Sequence, residues 1–305
     1  FFGDTTRFTL SHTFRFGHAL SCVANTLMYH NKNRIKKFCI SSRKTPRTAI
    51  RLHLRPEGNS KGLIPGLVQR WLEYGGAFKD VVILVRSWAM ALEPEMELMS
   101  AGIPYNLADK TKSYRTRPEI QACLGFMALG GGHGLHGIKS LESREKVFSG
   151  MLRYAELYLK KPQRIRLISR LAERPQDLYR TLDSACEEEP TLKSQLQKVS
   201  RLWHELETRV SPSMPASEAL VEIDKVIDFA SKIQKSHIHK QLANDALRGL
   251  EVLTEYARNR KETVDELIDE LSKEDEHNEN SSDSDVIQIT SIHKAKGGEW
   301  PMVIL

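Results

Sequence analysis

A continuous run of aliphatic residues, Val81–Val85, limits the folds that are open to this chain. Such a run predicts a strand that is buried on both faces, as in a parallel sheet covered by helices. Extended patterns also occur at 49–54 and 103–107, and amphipathic helical patterns at 63–74 and 92–99. Because strands and helices alternate with short connections, we predict an α/β fold, a parallel sheet with helices on both faces.

The strand signals stop near residue 110, and apolar residues then recur at helical spacing. An all-helical domain is therefore predicted at 111–272. The next residues, 273–285, are acidic and poor in apolar side chains, which predicts a flexible linker. Strand patterns resume at 286–305, so the helical domain is an insertion in a sheet domain whose first part is 1–110. The predicted helices span 118–128, 141–159, 192–206, 220–233, 242–257 and 264–271.

The last twenty residues contain two predicted strands, one ending just before Thr290 and one at Met302–Leu305. Between them lies a compact polar segment. Lysines, hydroxyls and paired glycines at a strand end can bring ammonium charge and backbone N–H groups close to phosphate. A carboxylate there suits a sugar hydroxyl or a basic partner. The alternative is an ordinary solvated basic loop. The polar residues are Thr290, Ser291, His293, Lys294, Lys296, Gly297, Gly298 and Glu299.

The charge distribution favours a polyanionic partner. The whole chain has a net charge of +6, yet residues 262–285 contain eleven Asp and Glu residues and one lysine. The remainder therefore carries a large positive surplus, which suits phosphates, although most lysines and arginines are simply solvated surface.

Composition narrows the class of protein further. With 40% hydrophobic and 28% charged residues, and no apolar run of membrane-spanning length, we expect a soluble cytoplasmic protein. The four cysteines form no C-x-x-C pair, so we expect reduced thiols and no zinc site. His133 and His136 lie in a glycine-rich stretch that predicts a mobile loop rather than a metal site. The first residues suggest an internal part of a longer chain.

The terminal segment resembles motif V of the UvrD/Rep/PcrA-like superfamily 1 DNA helicases, T-x-H-x-x-K-G-x-E-[FW]-x-x-V. Gly298 departs from the leucine usual there, and its conformational freedom could loosen the turn. The resemblance implies that ATP binds between two RecA-like domains and that cleft closure moves single-stranded DNA along the sheet edge. It places Gly297 and Glu299 toward the nucleotide. It places Thr290, His293 and Lys296 toward the DNA, or in transmitting closure to it.

Residues near the start resemble motif IV of the same family, L-x-x-N-[YF]-R-S followed by an A-N pair. Arg15 is retained, while Thr13 and Phe16 depart from the pattern. The resemblance places Arg15 at the γ-phosphate, as a catalytic residue, and a guanidinium offers forked donors to phosphoryl oxygens. The alternative role for this arginine is to brace the following helix.

The segment after the central predicted strand resembles the family's "ILVR … LE … GIPY" pattern. Arg86 leaves the carboxyl end of that strand, where open α/β sheets bind their ligands, and the resemblance places it against single-stranded DNA. Trp88 stands where many members have asparagine. Its indole can stack on a base or pack on its own domain.

Within the helical insertion, Lys161-Pro-Gln-Arg164 is similar to the family's N-K-P-x-R turn. Lys161 and Arg164 belong to the densest basic run of the chain, Arg153 to Arg174. We interpret the run as a contact to duplex backbone at a junction, and a solvated helix face is the alternative.

The sequence contains no G-x-x-x-x-G-K-[ST] loop and no D-E-x-x-D segment. Phosphoryl transfer depends on such a phosphate cradle and metal site. We therefore expect ATP and Mg²⁺ to act only in a longer parent with an N-terminal RecA-like domain, and this chain alone to bind neither and to be inactive. Two alternatives remain: a parent that is a helicase–nuclease or translocase, and a non-catalytic DNA-binding or docking module.

Overall fold

The computed structural model describes residues 8, 10–35, 37–54, 62–109, 111, 113–131, 135, 137–272 and 285–305. The predicted acidic linker, apart from Asp285, and the two histidines of the glycine-rich stretch lie outside these residues. By its backbone contacts the chain divides into two compact units, Phe1–Lys61 and Gly62–Leu305. The domain boundaries that we drew from the sequence remain a prediction.

In its described residues, the first unit contains a short parallel strand pair and one helix. Strand β1 (His12–Thr13) pairs with β2 (Ile40–Ser41), and α1 (His18–Tyr29) lies between them in sequence. The Asn25 amide donates to the Cys39 carbonyl at 2.8 Å and accepts from the Cys39 N–H at 2.9 Å. These two hydrogen bonds hold α1 against the segment that leads into β2.

The predicted strand at 49–54 is wrong, because these residues form no strand. Leu52 and Leu54 are each 86% exposed. An alternating pattern produces a strand only where a neighbouring strand supplies hydrogen bonds. In this unit β1 pairs with β2 and not with residues 49–54.

The second unit contains a four-stranded parallel sheet in the order β4-β5-β3-β6. Its strands are β3 (Val81–Val85), β4 (Tyr105–Leu107), β5 (Ile287–Ser291) and β6 (Met302–Ile304). The parallel sheet predicted from the sequence is confirmed. The last twenty residues supply the edge strand β6 and also β5, which lies between β3 and β4.

One face of this sheet packs against α2 (Leu63–Glu73) and α3 (Leu92–Ser100). The odd-numbered residues of β3 and β5 point to this face and are almost fully buried. They form one core with apolar side chains of the two helices. The core includes Val81, Ile83, Val85, Ile287 and Ile289 from the strands, and Ile64, Val68 and Leu98 from the helices.

Between β4 and β5 the chain forms helices that share a second apolar core. No helix of the described residues is long and apolar enough to cross a membrane. The helices are α4 (Pro118–Ala128), α5 (Leu141–Arg153), α6 (Lys161–Glu173), α7 (Leu178–Glu188), α8 (Lys193–Arg209), α9 (Ala216–Ile227), α10 (Phe229–Ser236), α11 (Lys240–Arg260) and α12 (Val264–Ser272).

The helix predictions hold for α4, α8, α11 and α12 and need two corrections. The helix predicted at 141–159 ends at Arg153, and that predicted at 220–233 is two helices. Asp228 interrupts the latter with a φ of 55°, and the Asp224 carboxylate accepts from the Ala230 N–H at 2.9 Å. The apolar spacing continued through this break because Ile227 and Phe229 are both buried in the same core.

Helices α4 and α5 pack closely because glycines lie where they meet. A Cβ at Gly125 would overlap Met151 and Val147 of α5. A Cβ at Gly150 would lie 2.7 Å from the Pro118 carbonyl oxygen and 2.8 Å from the Ala122 nitrogen. The second contact is with backbone, which cannot move aside as a side chain can.

We therefore expect Gly150→Ala to lower the free energy of unfolding by about 1–3 kcal/mol, as overpacking does, although alanine favours helices more than glycine. Gly66→Ala in α2 is the matched control, because a Cβ there meets open space among the described residues. The control should raise stability by about 0.5–1 kcal/mol. Urea unfolding of both variants measures this, and a stabilised Gly150→Ala protein would contradict the close packing.

Candidate nucleic-acid interface

The parallel strands bring three chain segments to one edge of the sheet. Arg86 follows β3, Asp109 follows β4, and 292–299 follows β5. The N–H of Ile292 donates to the Val85 carbonyl at 3.0 Å, and that of Ala108 donates to the Ile289 carbonyl at 3.0 Å. These hydrogen bonds extend the backbone pairing to the carboxyl edge of the sheet, which is the edge at which open α/β sheets bind ligands.

The segment after β5 turns tightly and exposes its polar side chains. The Ala295 N–H donates to the Ser291 carbonyl at 3.0 Å, and the Gly298 N–H donates to the Ala295 carbonyl at 2.9 Å. Gly297 has a φ of +95°, a conformation that favours glycine. As a result His293 and Lys296 are exposed at the carboxyl edge.

The sequence departure at Gly298 has a structural counterpart. The half-buried indole of Trp300 lies directly on Gly298, and a Cβ at that position would overlap the ring. A glycine at position 298 therefore leaves the space that the tryptophan ring occupies.

The segment after β3 contains one exposed and one half-buried candidate. The Arg86 side chain is exposed and makes no hydrogen bond or ion pair within the described part of the chain. Trp88 packs partly against the sheet core. The Lys294 ammonium lies 5.7 Å from the centroid of its ring. Packing of Trp88 on its own domain is thus observed, and base stacking stays a prediction.

A mostly buried arginine, which the sequence did not single out, holds the Trp88 segment. The Arg117 guanidinium donates to the carbonyls of Trp88 at 2.7 Å and Ala89 at 3.2 Å, and it lies 4.0 Å from the Glu119 carboxylate. Burial lowers the pKa of Arg117 and raises that of Glu119, and the attraction between the two groups opposes both shifts. The start of α4 is thereby joined to the carboxyl edge of the sheet.

A second pair missed by sequence reasoning is Lys294 and Asp109. The Lys294 ammonium lies 3.2 Å from the Asp109 carboxylate and 3.5 Å from the Ala108 carbonyl. The hydrogen bond from the Thr111 hydroxyl lowers the pKa of Asp109 below its usual value, and the Lys294 ammonium lowers it further. Partial desolvation of the carboxylate raises the pKa but does not cancel these effects. Their positions just after predicted strands were a signal, but nothing in the sequence indicated that the two side chains meet.

The remaining predicted site residues occupy different environments. Thr290 is 2% exposed within β5, next to Leu84 of β3, so its hydroxyl does not face solvent. Glu299 is exposed at the end of the turn. Arg15 is exposed in the first unit, just before α1, and its backbone N–H donates to the Thr13 hydroxyl at 3.3 Å. The roles of Arg15, Gly297 and Glu299 toward a nucleotide stay predictions.

The basic run of the insertion is only partly available. Lys161 begins α6 and is exposed, while Arg164 is half-buried. Arg170 pairs with Glu188 at 2.7 Å, so this cation has a structural partner. The contact of Lys161 and Arg164 with duplex backbone remains a prediction.

The sequence matches a known protein family. A family model described as the UvrD-like helicase C-terminal domain matches residues 8–305, nearly the whole chain. The search of curated proteins found no match.

Replacing Arg117 should destabilise the protein more than replacing a more accessible arginine. Arg117→Met leaves two carbonyls without this donor and a buried carboxylate without its cation, at a cost of about 3–5 kcal/mol. Arg170→Met, which breaks a more exposed ion pair, should cost less than about 1 kcal/mol. Chemical unfolding of the two variants measures the difference.

The loss in Arg117→Met should also depend on pH. Burial already raises the pKa of Glu119, and loss of the cation raises it further. A folded-state pKa above the unfolded value means that stability is lost as pH rises through it. The deficit relative to wild type should therefore be smaller at pH 5 than at pH 8, and equal deficits would rule out this role of Glu119.

Proposed function

This chain belongs to the UvrD-like helicase C-terminal domain family, and we propose that it is the second motor half of an ATP-dependent DNA helicase or translocase. The observation that carries the proposal is the grouping of Arg86, His293 and Lys296 at the carboxyl edge of a parallel sheet. Arg86 and Lys296 are exposed cations and His293 is an exposed polar side chain, and such groups at this edge suit the phosphates of a single strand that runs across the ends of the strands.

The exposed side chains and the buried hydroxyl take different roles in this proposal. Arg86, His293 and Lys296 are accessible and contact the DNA backbone. Thr290 is buried between neighbouring strands, so it transmits movement of the sheet to the turn rather than touching DNA. Trp88 stacks on a base with the exposed part of its ring, since every base offers a π-face.

Arg15, Gly297 and Glu299 face the nucleotide in the proposed parent. The guanidinium of Arg15 suits phosphoryl oxygens because it is always charged and offers several donors. The Glu299 carboxylate suits a sugar hydroxyl. ATP would supply the driving force and Mg²⁺ would neutralise its phosphates. The described residues contain no group of three His, Cys, Asp or Glu side chains that could hold a metal ion, so we assign the metal to none of them.

The phosphate-binding loop is absent from the sequence, so hydrolysis in this proposal requires an N-terminal RecA-like domain of the same protein. Lys161 and Arg164 contact duplex backbone at the junction with the single strand. The basic side chains near α6 supply the charge for such a contact.

The chain should bind single-stranded DNA with an affinity that falls as salt rises. For single strands, log K changes by about −0.7 per neutralised phosphate for each unit of log salt. Arg86→Ala should weaken binding and reduce the slope by about 0.7 in magnitude. Arg180→Ala is the control, because that side chain is 88% exposed on α7. Anisotropy of a labelled oligothymidine measures both, and equal binding by Arg86→Ala and wild type would argue against the proposed edge.

The chain by itself should show no ATP turnover, with or without DNA. Turnover that disappears in Arg15→Ala would contradict this. In a longer protein that contains the phosphate-binding loop, Arg15→Ala should lower kcat by about 10³-fold or more, the range for an arginine at the γ-phosphate. DNA binding should persist. A DNA-binding chain whose longer form lacks turnover would favour the non-catalytic alternative.

A further inference from the structure

Lys294 occupies the centre of the carboxyl edge. It follows β5, the strand between β3 and β4, and its side chain reaches toward both neighbours. On one side its ammonium lies 3.2 Å from the Asp109 carboxylate, after β4. On the other side it lies 5.7 Å from the centre of the Trp88 ring, after β3.

The Asp109 carboxylate is held in place by its own neighbours. One oxygen accepts from the Thr111 hydroxyl at 2.6 Å and from the Thr111 N–H at 3.2 Å. The Thr111 carbonyl in turn accepts from the Thr116 hydroxyl at 2.8 Å. The second oxygen of Asp109 faces Lys294. The carboxylate is therefore oriented toward the lysine.

The cation, in contrast, is accessible from solvent. The Lys294 side chain is 49% exposed, against 24% for Asp109. An ammonium group has three donors on a flexible stem, so it can turn from a carboxylate to another anionic oxygen without moving the backbone. A phosphate oxygen is the closest chemical equivalent of the carboxylate oxygen that it now contacts.

We propose that Lys294 binds a phosphate of single-stranded nucleic acid, and that Asp109 is an internal competitor that occupies Lys294 in the unliganded protein. This inference rests on the proposed function of the edge. In the unliganded protein the ammonium also lies over the Trp88 ring, so its move to a phosphate frees that face of the ring for a base. Asp109 then loses its cation and remains as a negative charge beside the DNA, so it weakens binding.

A purely structural ion pair leads to the opposite expectation. If the pair only ties together the segments after β4 and β5, Asp109→Asn loosens the site and leaves DNA affinity unchanged or lower. If Asp109 competes with phosphate, the same change raises affinity. The direction of the effect therefore separates the two roles.

The experiment measures binding of labelled oligothymidine to the whole chain at several salt concentrations. Asp109→Asn keeps an oxygen for Thr111 and removes the charge. It should raise affinity about two- to sixfold, the size expected when an exposed ion pair stops competing. The salt dependence should also become steeper, because a Lys294 that is no longer neutralised releases a counterion on binding phosphate.

Two further variants separate the local effect from net charge. Glu156→Gln removes one negative charge from another lysine pair, with Lys198 at 3.5 Å, and should change affinity much less. Lys294→Gln should weaken binding and should abolish the gain from Asp109→Asn in the double variant. A gain that persists without Lys294, a gain equalled by Glu156→Gln, or a loss in Asp109→Asn would each overturn the inference.

Failure of the proposed function gives a different result. If neither wild type nor Asp109→Asn binds the oligonucleotide at low salt, both the DNA-binding edge and the competition are refuted. If wild type binds and Asp109→Asn binds equally well, only the competition is refuted. Thermal unfolding of each variant establishes that the compared proteins are equally folded.

Discussion

The backbone hydrogen bonds of β5 are the interaction on which the rest of the second unit depends. This strand lies between β3 and β4 and pairs with both, so the two earlier strands share a sheet only through it. A long series of helices separates β4 from β5 in the sequence. Such non-local pairing carries a large cost in loop closure. It also brings three strand ends together, which short-range structure alone could not do.

The Trp88 segment is one of the places where the sheet and the helices of the insertion are joined. Arg117, just before α4, holds the Trp88 and Ala89 carbonyls, and Lys294 lies over the Trp88 ring. A buried guanidinium is costly unless its donors are used, and here it satisfies backbone acceptors beside the candidate interface. Two hydrogen bonds thus connect the start of α4 directly to the carboxyl edge of the sheet.

The net charge of the chain is a poor guide to which cations are available to bind phosphate. The positive surplus seen in the sequence includes cations that already have partners, such as Arg170 with Glu188 and Lys294 with Asp109. Others, such as Arg86 and Lys296, are exposed at the carboxyl edge. A polyanion meets both kinds, but only the second kind neutralises phosphate without first losing an internal partner. The distinction determines where counterions are released on binding.

The sequence alone determined the parallel sheet, the strands β3, β5 and β6, several helices and the family, because hydrophobic periodicity and motif spacing are local properties of the chain. It did not reveal the absence of a strand at 49–54 or the break at Asp228, since periodicity reports only which side of a segment is apolar. The contacts of Arg117 and the pairing of Lys294 with Asp109 were decided by the tertiary structure. The carbonyls that Arg117 binds lie 29 and 28 residues before it, and Asp109 and Lys294 meet because β5 lies next to β4 in the sheet, so no local pattern could reveal either contact.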